Sequence, residues 1–349
     1  MASNELVCPR SDEELDALLA MPSERLVAFF QRARIRRLAI LGIGGKIGVT
    51  LGLAAAHAAR RAGCGTEVIG VSRFSDTEAR AKLEASGVRT ISCDLLDEEA
   101  VRALPDADAV IFMAGKKFGT SEDASLTWAM NAIAPVNAAK RYPHARTVVF
   151  STGCVYPLAF AESAGCSERC PPAPLGEYAQ SALARERIFE HYSRTAGTPV
   201  VLFRLNYAID LRYGVLHDIA MRVWQSRPVD ISVRNFNCIW QGDVIERALL
   251  SIELCASPPR VLNISGPETV ATADVAEYFA ETFGTRAILE GVDRAASPGY
   301  LCDAGLSFGH FGYPGVALAT MLRLTAEWIA HGGSSLNKPT HFQTTDGKF

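Results

Sequence analysis

Three glycines spaced three apart, Gly42, Gly45 and Gly48, follow the apolar run Arg37-Leu38-Ala39-Ile40-Leu41 and precede a small-residue helical pattern from Val49 to Ala62. Strand, glycine turn and helix in that order suit the seating of a pyrophosphate. The first glycine permits a sharp turn, the second lets a phosphate approach the backbone, and the third lets helix and strand pack closely. Amides at the helix start, around Gly44, Gly45, Lys46 and Ile47, then attract the anion together with the helix dipole. The expected ligand is a dinucleotide. The next apolar run ends Val68-Ile69-Gly70-Val71-Ser72-Arg73. Sites that prefer NAD usually have a carboxylate where Ser72 sits; a serine removes that repulsion, and Arg73 is placed to bind a 2′-phosphate. NADP is therefore expected, with NAD the alternative if Arg73 only lies along the surface. Asp94 and Leu95 close the third run, where the Asp94 carboxylate either accepts from the adenine amino group or is a solvated loop residue.

These residues need a scaffold that brings strand ends together. Apolar strands are expected at 37–42, 66–71, 88–93, 108–114, 146–151 and 199–204, with amphipathic helices between them. That alternation predicts an α/β fold: a doubly wound Rossmann parallel sheet, helices on both faces, with ligands at the carboxyl ends of the strands. A smaller α+β C-terminal substrate lobe is expected to follow. Before the first strand, Ser11 and Glu14 form a capping-box pattern, and Pro22 begins a second helix through Leu26, Phe29 and Phe30. The expected division is a helical extension 1–35, a cofactor domain 36–205 with 237–264, a substrate lobe 206–236 with 265–335, and a polar tail 336–349 able to fold back.

Bulk properties narrow the classes. The 349 residues carry 35 basic and 38 acidic side chains, which gives no electrostatic surface for nucleic acid or membrane. Arg32, Arg34, Arg36 and Arg37 read as the basic end of a helix. No 18-residue apolar run occurs and the N-terminus is acidic, so neither a membrane span nor a signal peptide is expected. Nine cysteines lie at scattered spacings; Cys166 and Cys170 are close but no second pair matches them, so no metal site is expected. Reduced thiols in a cytoplasmic protein are the natural reading.

The fifth strand runs into Phe150-Ser151-Thr152-Gly153-Cys154-Val155-Tyr156-Pro157, and further on comes Tyr178-Ala179-Gln180-Ser181-Ala182-Leu183-Ala184-Arg185-Glu186. Around them stand Asn131-Ala132-Ile133-Ala134-Pro135-Val136-Asn137, Arg204, Gly242-Asp243-Val244, Leu262-Asn263-Ile264-Ser265-Gly266 and Phe311-Gly312-Tyr313-Pro314. In this order and spacing the chain resembles the extended short-chain dehydrogenase/reductases, the NAD-dependent epimerase/dehydratase family, over about residues 37–330. The resemblance implies that Tyr178 moves the hydroxyl proton while hydride travels to or from the nicotinamide. It makes Thr152, with Ser151 beside it, the hydroxyl that orients the substrate oxygen. Ala114, Gly115, Asn131 and Tyr178 would flank the cofactor. Two long helices, near 124–140 and 178–195, would pair across a homodimer.

One feature departs from the family. A lysine four residues after the tyrosine normally binds the nicotinamide ribose and lowers the tyrosine pKa, and here that position is Ala182. A free phenol titrates near 10, so a phenolate at pH 7 costs about 4 kcal/mol. A nearby cation normally offsets part of that cost, and acid–base catalysis worth ~10²–10⁴ depends on it. In one reading Lys117 or Lys116, after the fourth strand, supplies the cation; the alternative is a pair of surface lysines. In the other reading proton transfer is lost and the protein is a non-catalytic NADP-binding sensor or scaffold.

The substrate is expected to be a small sugar-like molecule. Relatives that act on nucleotide-sugars carry an Asn three residues beyond the strand-end Arg; here Asn206 lies two beyond Arg204 and Tyr207 occupies the expected place. Seven residues before Asp243 they carry an Arg; here that position is Phe236, with Arg234 two residues away on the same strand face. Arg212 is a further candidate anion ligand, and Trp240 a candidate for stacking on a sugar ring, the alternatives being surface arginines and a core tryptophan. His217 and Gln241 fall in segments expected to wall the cleft. A sugar, sugar acid or lactone is the expected substrate of hydride transfer, with nucleotide-sugar epimerase or dehydratase as the alternative. Cys154 reads as a small packing residue.

Overall fold

A computed structural model describes residues 6–117, 119, 122–291, 298–338 and 340–348; expectations that touch residues 1–5, 118, 120–121, 292–297, 339 and 349 lie outside them. Two helices come first, α1 (Asp12–Leu19) and α2 (Glu24–Arg32). Then follow β1 (Arg37–Leu41), α3 (Lys46–Ala62), β2 (Glu67–Ser72), α4 (Thr77–Ala85), β3 (Arg89–Ser92), α5 (Glu98–Arg102) and β4 (Ala109–Phe112). After them come α6 (Ala124–Trp128), α7 (Ala134–Arg141), β5 (Arg146–Thr152), α8 (Gly176–Ala196) and β6 (Val200–Leu205).

The strands are nearly continuous apolar runs, as two-sided burial requires. With a seventh, Arg260–Ile264, they form one parallel sheet in the order 260–264, β6, β5, β4, β1, β2, β3. The chain order reverses between β1 and β4, and a crevice at the carboxyl ends of these two strands is where such sheets bind ligands. The expected doubly wound fold is present, and each of the six expected strands starts and stops within about two residues of its observed bounds, the usual scatter of element ends.

Apolar side chains cover the sheet on both faces. One face packs on α3, α2 and the helix Gln241–Leu250 through Ile40, Leu51, Phe30 and Ile245; the other packs on α7 and α8 through Leu41, Phe112, Ala138 and Phe189. A third cluster joins the helices Val215–Trp224, Thr272–Phe283 and Leu318–Ala330 through Leu216, Phe279 and Trp328. The N-terminal extension is shared between them. Leu15 and Leu19 of α1 enter the third cluster, while Phe29 and Phe30 of α2 sit under the sheet. Ser11 caps α1 by accepting from the Glu14 amide; Ser23, one residue after Pro22, caps α2.

Among the described residues, no helix is long and apolar enough to cross a membrane, and no group of three His, Cys, Asp or Glu side chains could hold a metal. All nine cysteines are free thiols.

Gly42 sets the turn after β1. Its φ is +91°, and a Cβ there would lie 2.6 Å from the Ala114 amide nitrogen at the end of β4. Gly42→Ala is therefore expected to cost about 2–4 kcal/mol, left-handed strain plus overpacking. Urea denaturation will show it as a lower midpoint with an unchanged slope.

Candidate active site

A cavity of about 330 Å3 opens at the carboxyl ends of β1, β4 and β5. The glycine turn forms one wall. Gly45 is the N-cap of α3 with no side-chain cap, so the helix amides are left for a ligand. A Cβ on Gly45 would meet nothing closer than the Gly42 oxygen at 3.5 Å, so the approach to that backbone is open. Gly44 lies against the Ser72 hydroxyl at the end of β2, and Gly48 lies against the Ile43 carbonyl. Lys46 and Ile47 line the cavity, and the Lys46 ammonium stands 3.3 Å from the centre of the Tyr213 ring. Burial pushes the Lys46 pKa down to about 7.

The opposite wall carries the hydroxyls. Thr152 ends β5, and its Oγ1 accepts from the Cys154 amide at 3.1 Å, which fixes the rotamer. The Thr152 and Tyr178 side chains are hydrogen-bonded to each other. Tyr178 stands on the first turn of α8. Burial pushes its phenol pKa up to about 12, against the opposing influence of Thr152 and of the Arg185 guanidinium. The Lys117 ammonium lies 5.8 Å from the centre of the Tyr178 ring, and burial lowers its pKa. Cys154 is buried near both, and burial raises its thiol pKa.

Asn131 ties the walls together. It sits in a π-helical turn, Ala129–Ile133, between α6 and α7, a distortion that commonly marks functional positions. Its Oδ1 accepts from the Lys116 amide at 3.0 Å and from Arg185 at 2.6 Å. Its Nδ2 donates to the Lys116 carbonyl and to Ser181. Arg185 also donates to the Phe150 carbonyl at 2.8 Å. The lining therefore includes Lys46, Lys116, Lys117 and Arg185, and no carboxylate among the described residues. An uncapped helix start, an open glycine backbone and four basic side chains fit an anionic dinucleotide.

The structure separates the expected site residues. Tyr178, Thr152, Lys117, Lys116, Gly115, Gly42, Gly45, Lys46, Ile47, Asn206 and Tyr207 all line the one cavity. Tyr207 does so with φ at +42°, a strained conformation of the kind held at functional sites. Ser151 also borders it, but its hydroxyl donates to Glu186 at 2.5 Å rather than to Tyr178. Glu186 in turn holds Arg204 through two hydrogen bonds, and Arg204 donates to the Tyr156 hydroxyl, which donates to Asn263. Ser151 thus belongs to a buried framework beneath the site.

Three expected substrate contacts stand elsewhere. Arg212 spends its guanidinium on Asp210 and on Asp16 of α1, a pairing invisible without the packing of the extension. Trp240 is a core residue of the third cluster, although Gln241 after it does reach the cavity. Arg234 lies outside the cavity lining, and His217 is bonded to Ser335 at 2.9 Å. Asp94 accepts from the Leu96 amide at 3.0 Å, and Leu95 is buried. Sequence reasoning missed Arg185, Tyr213 and Thr340, the last reaching the cavity from the folded-back tail and anchored on Asp218. A second cleft, of about 580 Å3, lies between α5 and α7 at the amino ends of the strands, where Arg102 pairs with Glu99 and Lys140 with Glu98.

Residues 39–209 match the family model of the NAD dependent epimerase/dehydratase family. Among curated proteins, none matches. The fold is that of solved structures of low identity. DesIV, a dTDP-glucose 4,6-dehydratase from Streptomyces venezuelae with NAD and TYD bound, is 18% identical over 84% of this chain and 97% of its own, with a TM-score of 0.72. A UDP-glucuronic acid 4-epimerase from Bacillus cereus, in complex with UDP-glucuronic acid and NAD, is 19% identical over 84% and 99%, with a TM-score of 0.70. Pal from Bacillus thuringiensis is 19% identical over 84% and 99%, with a TM-score of 0.69.

Proposed function

We propose, from the match of residues 39–209 to the NAD dependent epimerase/dehydratase family, that the chain is an enzyme of that family and transfers hydride between a bound nicotinamide dinucleotide and a secondary alcohol or ketone of a sugar-derived substrate. The observation that carries this reading is the Tyr178–Thr152 hydroxyl pair, facing the glycine turn across one cavity. When bound, the dinucleotide supplies or accepts the hydride.

The chain's own residues do the rest. Gly45, Lys46 and Ile47 hold the pyrophosphate at the start of α3. Tyr178 gives its proton to a carbonyl oxygen or takes one from a hydroxyl, and Thr152 orients that oxygen. The phenol is protonated at neutral pH, so the resting site is set to donate. Lys117, half-buried beside the Tyr178 ring, contacts the substrate. With four basic side chains and no carboxylate among the described lining residues, the cavity suits a sugar bearing negative charge, such as a uronic acid or a phosphorylated sugar. Exposed Leu126, Trp128 and Ile133 on the helical stretch 124–141 support a homodimer through that face.

The test is optical. Protein purified with or loaded with the dinucleotide will change its absorbance at 340 nm when an anionic sugar is added, and Lys117→Met will suppress the change. A bound dinucleotide that no sugar perturbs would support the sensor reading instead.

Cofactor choice turns on Ser72 and Arg73. NADPH is expected to bind more tightly than NADH, and Arg73→Ala to weaken NADPH by roughly tenfold or more while sparing NADH, since a charge-assisted contact contributes about 1.5–3 kcal/mol. Fluorescence titration measures both affinities; tighter NADH in the unmodified protein would reverse the assignment.

A further inference from the structure

Arg185 stands three residues beyond Ala182 on α8, close to one turn on and on the same side of the helix. It is only 6% exposed. Its guanidinium is held from three separate elements: the Phe150 carbonyl near the end of β5, Asn131 in the π-turn, and the Phe112 ring of β4, whose centre is 5.8 Å away. Gly115 makes room for it, because a Cβ at that position would overlap Nη2. Among the described residues no carboxylate pairs with it, and its buried Nε has no hydrogen-bond partner. The carboxylate that acts on it, Glu186, is already bonded to Arg204 and Ser151, and burying a cation so thinly compensated costs several kcal/mol.

We propose that Arg185 is the fixed positive charge of this cleft, standing in for the lysine absent at position 182: it stabilises the ionised form of Tyr178 and the cofactor bound beside it. The proposal rests on the reading of Tyr178 as the proton-handling group. Its cleft holds three other candidates, and each is less suited. The Lys46 ammonium lies at the glycine turn over the Tyr213 ring, and burial lowers its pKa to about 7. The Lys116 ammonium is drawn to Asp123, 3.5 Å away. Lys117 is an amine whose proton is loosened by burial, so its charge is weakest where a phenolate would need it. Burial lowers the Arg185 pKa as well, but from so high a starting value that the guanidinium keeps its charge. The Arg185 guanidinium also opposes the upward push of burial on Tyr178.

The test reads ionisation and binding rather than turnover, so it stands apart from the functional reading; that reading fails separately if Tyr178→Phe leaves turnover intact. Fluorinated tyrosine, which ionises at lower pH than tyrosine, is placed at position 178 and followed by 19F resonance against pH. In Arg185→Met the ionisation is expected to rise by about one unit or more, and NADPH affinity to fall roughly tenfold. Adding Ala182→Lys to that variant returns the cation from one turn earlier and restores most of both. A folded Arg185→Met with unchanged ionisation and affinity overturns the proposal. If Arg185→Met does not fold, the double variant decides: ionisation near that of the unmodified protein supports the assignment, and a rise of about a unit or more overturns it.

Discussion

Tyr178→Phe will lose about 10²–10⁴-fold in turnover, the usual worth of a positioned acid or base, with dinucleotide affinity and melting temperature almost unchanged. The side chain is partly buried and shares a hydrogen bond with Thr152, and desolvation raises the phenol pKa to about 12. Removing one oxygen from it leaves the ring packing of α8 in place. The sign of the pH dependence follows from that raised pKa. In the oxidative direction the phenolate is required, and its fraction grows about tenfold per unit while pH stays below the pKa; the rate must climb through the neutral and mildly alkaline range. In the reductive direction the protonated phenol is required, and the rate stays flat over the same range. Steady-state assays in both directions at matched pH read this directly. A Phe variant with equal slopes and unimpaired rates would remove Tyr178 from the chemistry.

Arg204→Met will destabilise the fold by about 3–5 kcal/mol, because it strands Glu186 as a charge without a partner in the interior. Glu186 and Arg204 side chains are 1% and 5% exposed, and their carboxylate and guanidinium meet in a two-pronged contact. The same carboxylate accepts from Ser151, and the same guanidinium donates to Tyr156. These two residues flank the segment that carries Thr152, so loosening the framework will also lower turnover by displacing the Thr152 hydroxyl. Replacing both partners, Arg204→Met with Glu186→Leu, will recover much of the stability, since an apolar pair leaves no stranded charge. Chemical denaturation of the three variants distinguishes a stranded charge from simple loss of packing; equal destabilisation of the single and double variants would contradict the argument.

The parts of the molecule legible in the sequence are those set by local pattern. Strands buried on both faces must be apolar throughout, so Leu38–Leu41, Val68–Val71 and Val148–Phe150 announce themselves. The glycine turn is equally local, because the φ of Gly42 and the nearness of Ala114 leave few other residues possible. Tyr178 and Thr152 stand out by their spacing within an order of motifs, and both line the one cavity. What spacing hides is what long-range packing decides. Arg212 looks like an anion ligand until α1 brings Asp16 to it from nearly two hundred residues away. Trp240 looks like a stacking platform until the third apolar cluster takes it into its core. Ser151 and Thr152 are adjacent hydroxyls, yet strand alternation turns them to different partners, Glu186 for one and Tyr178 for the other.

Arg185 is the sharpest case. In sequence it is one more charged residue on a long helix, between Ala184 and Glu186. Its meaning depends on Gly115, Asn131 and the Phe150 carbonyl, which come from three other elements. The available signal was an indirect one: Ala182 leaves a missing cation, and an arginine appears a single turn later.

The most direct measurement is a crystal structure of the protein with its reduced dinucleotide. The account predicts the pyrophosphate on the amides at Gly45–Ile47 and the nicotinamide against Tyr178 and Thr152, with its ribose toward Arg185. A dinucleotide bound with its nicotinamide turned to solvent, or seated away from the glycine turn altogether, would contradict it.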